Sequence, residues 1–148
     1  MANVYELIDN IFDEANFSAE AMPFNHDIPR CVIPTKTFKE TEPNYNFTLE
    51  DREIIRKILL KNPEYGKVCA KAGVNFTGSL LYKMHVTINK HPDDGRVIYG
   101  YYPKFNRIYL FTLYSKSQDK DLSKAKYKAL VVKSKQFQRY LERIHFGG

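Results

Sequence analysis

Three runs decide the architecture: Ser79-Leu-Leu-Tyr-Lys-Met-His-Val-Thr-Ile88, Gly95-Arg-Val-Ile-Tyr-Gly-Tyr-Tyr102 and Arg107-Ile-Tyr-Leu-Phe-Thr-Leu-Tyr-Ser115. Each is short and rich in β-branched and aromatic side chains, which suit a pleated, half-buried surface. Turn chemistry bounds them, with His91-Pro-Asp-Asp-Gly95 after the first and Pro103-Lys-Phe-Asn106 after the second. Connections this short join antiparallel neighbours, so the spacing predicts a three-stranded meander.

Upstream, Arg30–Phe38 alternates weakly and carries Pro34, which predicts an edge strand. Thr48-Leu-Glu-Asp51 reads as a helix cap. Leu49, Ile54, Ile55, Ile58 and Leu59 then form a helical stripe that stops before Asn62-Pro63. A second short helix is expected from Pro63 to about Ala72, ended by Gly73. Downstream, Ser123 caps a last helix whose candidate buried positions include Ala125, Leu130, Phe137, Leu141 and Ile144. Helices before and after one small, mainly antiparallel sheet make the class α+β.

The chain has 148 residues, a length suited to one domain with a real core. Its net charge of +6 is unevenly placed. In residues 1–30, Glu6, Asp9, Asp13, Glu14, Glu20 and Asp27 face Arg30 alone, a net −5. The remaining 22 basic and 11 acidic side chains give +11. In the leader, Val4, Leu7, Ile8, Ile11 and Phe12 fall at helical spacing and Met22–Pro29 breaks it. The expected organisation is therefore an acidic helix and linker over 1–30 and a basic domain over 31–148. A basic body points to an anionic partner, nucleic acid first. No window approaches a membrane span, and the N-terminus lacks the basic and apolar regions of a signal peptide, so the expected place is the cytoplasm. Cys31 and Cys69 have no partner at zinc-ligand or redox spacing and read as free thiols.

Nucleophile-elbow, Walker and HExxH motifs are absent, and His26, His85, His91 and His145 are scattered. No metal or cofactor is expected. What remains is a basic and aromatic sheet. Residues i and i+2 of a strand share a face, so Lys83 and His85 lie together, opposite Tyr82 and Met84. Arg96 opens the next strand and Lys116 follows the third. Tyr99, Tyr101 and Tyr114 interleave with them, and with Arg107 and Lys120 they are the candidate RNA contacts. Such a set could cleave RNA without metal. A base takes the 2′-hydroxyl proton, cations hold the charge growing on phosphorus, and an acid protonates the leaving oxygen.

Three stretches taken in order carry a resemblance. They are Gly95–Tyr102, Arg107–Lys116, and Asp119-Lys-Asp-Leu-Ser-Lys-Ala-Lys-Tyr-Lys-Ala-Leu130. With Leu60-Lys-Asn-Pro-Glu-Tyr-Gly66, they make residues 31–131 similar to the RelE/HigB family, toxins of bacterial type II toxin–antitoxin systems. The resemblance implies a small sheet flanked by helices and metal-independent cleavage of messenger RNA at the ribosome. It also implies neutralisation by a cognate antitoxin, of the helix-turn-helix, DNA-binding kind. It implies general-base or phosphate-ligand roles for Lys83 and His85, and charge stabilisation by Arg96 and Lys116. Some members carry a C-terminal catalytic tyrosine; the matching position falls around Leu122, and Tyr127 is the close candidate. Two alternatives stay open: a non-catalytic relative that binds nucleic acid or an antitoxin, and a ParE-like gyrase poison.

Overall fold

The computed structural model describes residues 30–146; the acidic leader and its apolar stripe lie outside the described residues. The fold is α+β, with a five-stranded mixed sheet between two layers of helix and loop. In chain order the elements are β1 (Cys31–Pro34), α1 (Lys36–Thr41), α2 (Leu49–Lys61), β2 (Lys67–Val68), β3 (Leu81–Ile88), β4 (His91–Tyr102), β5 (Arg107–Ser115), α3 (Lys116–Asp119) and α4 (Lys124–Phe146). The strands lie in the order β1-β5-β4-β3-β2.

The expected meander is β3-β4-β5, antiparallel throughout. Its second corner also follows the sequence: Pro103–Phe105 forms a 3₁₀ turn closed by Asn106 at φ 52°. The first corner differs. The chain reverses at Asn89 and Lys90, both at positive φ, and β4 already starts at His91. Pro92-Asp-Asp94 becomes a bulge, between the pairs Ile88↔His91 and Val86↔Gly95. β1 is an edge strand, as Pro34 implies, but it is parallel to β5 and ends at Pro34. The Thr35 hydroxyl accepts from the Phe38 amide and starts α1 there instead.

Around α2 the expected capping box is present in both directions, Thr48 Oγ1 with the Asp51 amide and Asp51 Oδ2 with the Thr48 amide. The helix buries Ile55 and Leu59, whereas Leu49 and Ile54 face solvent. The helix expected over 63–72 does not form. Tyr99, fully buried in β4, takes a hydrogen bond from the Gly66 amide at 3.0 Å and donates to Pro63 O at 2.8 Å. That tether lays the segment beside β3, where β2 becomes the fifth strand. Gly66 lies so close that a Cβ there would stand 2.6 Å from Lys83 O.

Each sheet face has its own core. Met84, Val97, Tyr99, Ile108, Leu110 and Leu113 pack against Phe38, Phe47, Ile55 and Leu59. On the opposite face Leu81, Ile98, Tyr102, Tyr109 and Phe111 meet α4 through Tyr127, Leu130, Phe137 and Leu141. Phe137 sits edge-on to Tyr109 and Phe111, with centroids 4.9 and 5.0 Å away. Of the expected α4 positions, Ala125 is exposed and Ile144 half-buried, while Tyr127, not among them, is fully buried.

Phe137→Ala should lower stability by about 4 kcal/mol, because a fully buried ring leaves a cavity. Val132→Ala, on the exposed side of α4, should stay within about 0.5 kcal/mol. Urea denaturation of both variants checks this; equal losses would mean that α4 docks by another face.

Candidate active site

The α4 face of the sheet is open at the end where β4 begins and β5 ends, and cations gather there. Lys83 and His85 project from β3 on one side. His85 stands directly opposite Arg96, and Arg96 opposite Tyr114. Lys67 on β2 stands opposite Lys83. Lys116 begins α3, immediately past the Ser115 that pairs with Gly95. The four residues singled out from sequence, Lys83, His85, Arg96 and Lys116, thus converge on one face.

Arg96 is 7% exposed, and its guanidinium is held by main-chain oxygens: Nη1 donates to Asp93 O and, at 3.0 Å, to Gly95 O. Among the described residues it meets no carboxylate. Lys83 Nζ donates to Tyr127 Oη at 3.0 Å, lies 5.6 Å from that ring's centroid, and stands 3.9 Å from Asp121 Oδ1. Partial burial lowers the pKa of His85 below the ordinary histidine value; the charges of Arg96, Lys116 and Lys67 add to that, and Asp93 opposes it. Its imidazole is therefore neutral at pH 7 and able to accept a proton.

Asp121 organises the back of the cluster. It accepts from Lys71 Nζ at 2.9 Å, Tyr127 Oη at 2.7 Å, Tyr114 Oη at 3.0 Å and its neighbour's amide, Leu122 N, at 2.8 Å. Burial pushes its carboxyl pKa up, but these hydrogen bonds outweigh burial and hold it well below the usual carboxylate range. Burial first, then contact with Asp121, keeps both phenols protonated, Tyr114 at about 12; their mutual hydrogen bond raises Tyr127 and lowers Tyr114. Burial likewise pushes the neighbouring Cys69 thiol up to about 12, which leaves it unreactive.

The corner that carries Lys116 is fixed by two carboxylates. Asp94 takes hydrogen bonds from Ser115 Oγ, Ser117 N and Ser117 Oγ at 2.8–2.9 Å. Asp119 takes them from Ser115 N and Tyr45 Oη at 3.1 and 2.7 Å.

The expected RNA contacts fare unevenly. Tyr99 is fully buried on the other face, where its hydroxyl tethers Pro63 and Gly66, so it offers no stacking surface. Arg107 is 1% exposed at the far end of β5, donating to Phe105 O. Tyr101 is half-buried on the Tyr99 side. Tyr114 is in the cluster, but as a buried hydroxyl rather than an exposed ring. Lys120 is exposed just past α3. Sequence reasoning gave no role to Lys67, Lys71 or Asp121. Only the Asp-Leu step at 121–122, where the carboxylate caps its neighbour's amide, carried a local signal for Asp121.

Among the described residues no group of His, Cys, Asp or Glu could hold a metal ion, and no helix is long and apolar enough to cross a membrane. The chain matches no family model and no curated protein.

The Asp121 carboxylate stabilises the fold above its unfolded pKa, and that contribution is lost as pH falls through its lower folded value. The difference in Tm between wild type and Asp121→Asn should therefore widen from about pH 2 to about pH 5 and stay level above. A gap of constant size across that range would show that the carboxylate's charge is not what holds the cluster.

Proposed function

We propose that this protein is a metal-independent endoribonuclease of the RelE/HigB toxin kind, cutting messenger RNA during translation and restrained by an antitoxin. One observation carries the reading. Lys67 opposite Lys83 and His85 opposite Arg96 set basic side chains against each other across neighbouring strands of one open face. The lysine pair is like-charged, and the second pair becomes so whenever the imidazole is protonated. Such pairs destabilise a sheet, and an anionic backbone laid across them relieves the repulsion. The ordered resemblance over residues 31–131 supports the same reading.

Each group then has a role. Neutral His85 takes the proton of a 2′-hydroxyl, whose oxygen attacks the adjacent phosphorus. Arg96 and Lys83 stabilise the charge developing on the phosphoryl oxygens, Arg96 already aimed by its two carbonyl contacts. The Lys116 ammonium gives a proton to the leaving 5′-oxygen as the P–O bond breaks. The products are a 2′,3′-cyclic phosphate and a 5′-hydroxyl. Tyr127 and Asp121 position Lys83 and touch no reacting atom.

Expression without an antitoxin should arrest growth and cut transcripts within translated codons. Arg96→Ala should abolish both effects, and His85→Ala should slow cleavage by about 100-fold or more. The wild-type rate should level off with rising pH below the ordinary histidine range, since His85 loses its proton early. Intact transcripts with unchanged growth would end the proposal; DNA damage with intact transcripts would point to a gyrase poison.

A further inference from the structure

A groove of about 230 Å³ lies on the α2 face of the sheet at the uncovered edge of β3, around that edge from the cationic cluster, and His85 at the edge is part of its lining. It exists because β2 pairs with β3 only at Tyr82 and Lys83, so the outer edge of β3 from His85 to Thr87 has no strand beside it. Its wall on the α2 side is apolar: Ile54 and Tyr65 stand 59% and 52% exposed beside Ile58. Exposed side chains of this size in one concave place mark a binding surface.

Asp93 closes the groove. It is the φ +60° residue of the β3–β4 bulge, and the bulge is fixed on both sides of it. Arg96 grips its carbonyl oxygen, and its neighbour Asp94 is held by Ser115 and Ser117. A bulge beside a site re-aims a side chain, and here the bulge sets exposed Asp93 in the lining of the groove. Among the described residues that carboxylate has no ion-pair partner, whereas Asp51, also in the lining, is occupied by its helix cap.

We propose that this groove seats one unstacked base of the RNA substrate next to the cleaved phosphate, and that the base is guanine. The inference rests on the ribonuclease reading above. The groove has room for a single base, Tyr65 and Ile54 supply a face to stack on, and His85 joins it to the phosphate site. One carboxylate accepts the two parallel donors of guanine's Watson–Crick edge, N1–H and N2–H, while the acceptor oxygens of uracil face it unfavourably. A protein strand added to the β3 edge is the competing occupant. The cations beside His85, set to receive phosphate, favour RNA.

The test maps cut positions in transcripts after expression of the full-length chain and of Asp93→Asn, which puts donors in place of one acceptor oxygen. Wild-type cuts should lie beside guanosine about tenfold more often than beside uridine, and Asp93→Asn should flatten that preference. Tyr65→Ala should lower cutting at guanosine sites. Methyl signals of Ile54 and Ile58 should shift when a short RNA bearing one 2′-deoxyguanosine is added. Cuts without base preference, or a preference unchanged in Asp93→Asn, overturn the groove proposal and leave the ribonuclease reading standing. RNA binding that depends on Arg96 but leaves both isoleucine signals fixed overturns it. No cuts at all overturn both.

Discussion

One carboxylate ties the functional end of this molecule together. Asp121 receives Lys71 from the segment after β2, Tyr114 from β5 and Tyr127 from α4, and through Tyr127 it reaches Lys83 on β3. Four parts of the chain that share no local sequence logic are thereby held in one place. A carboxylate with this many donors is worth more than an exposed ion pair, because each bond to a charged acceptor is stronger than a neutral one. The same contacts leave Lys83 presented at the face rather than folded away.

The surrounding electrostatics run against stability. Two pairs of basic side chains face each other across neighbouring strands, and a buried arginine has main-chain carbonyls in place of a counter-ion. Folds retain such arrangements at sites where a ligand supplies the missing charge. The depressed basicity of His85 is one consequence: partial desolvation and the neighbouring cations favour its neutral form, which can accept a proton. The corner carrying Lys116 is braced by Asp94 and Asp119, whose hydrogen bonds come from serine and tyrosine groups and fix its geometry.

The β3–β4 connection shows how fold and site depend on each other. His91-Pro-Asp-Asp-Gly95 looks like a turn because it is built of turn residues. In the folded chain Asn89 and Lys90 take the positive-φ positions, and the Pro92–Asp94 residues go to a bulge. Arg96 then has carbonyls to grip and Asp93 is aimed outward. Local composition found a break in the strand; register alone decided where the reversal fell.

The sequence by itself determined the meander, the edge strand with Pro34, the cap at Thr48 and the final helix. Period, turn residues and capping act over a few positions, so they can be read locally. Alternation likewise put Lys83 and His85 on one face, since the pleat of a single strand is enough to decide that. Only the tertiary structure decided that Pro63–Ala72 is not a helix, because the tether from Tyr99 lies more than 30 residues away in sequence. Only the tertiary structure separated tyrosines that look alike in the chain: Tyr99 a buried strut, Tyr114 and Tyr127 hydroxyls in the cluster. Roles of that kind depend on which long-range partner a polar group meets once it is buried, and that partner is fixed only when the sheet closes.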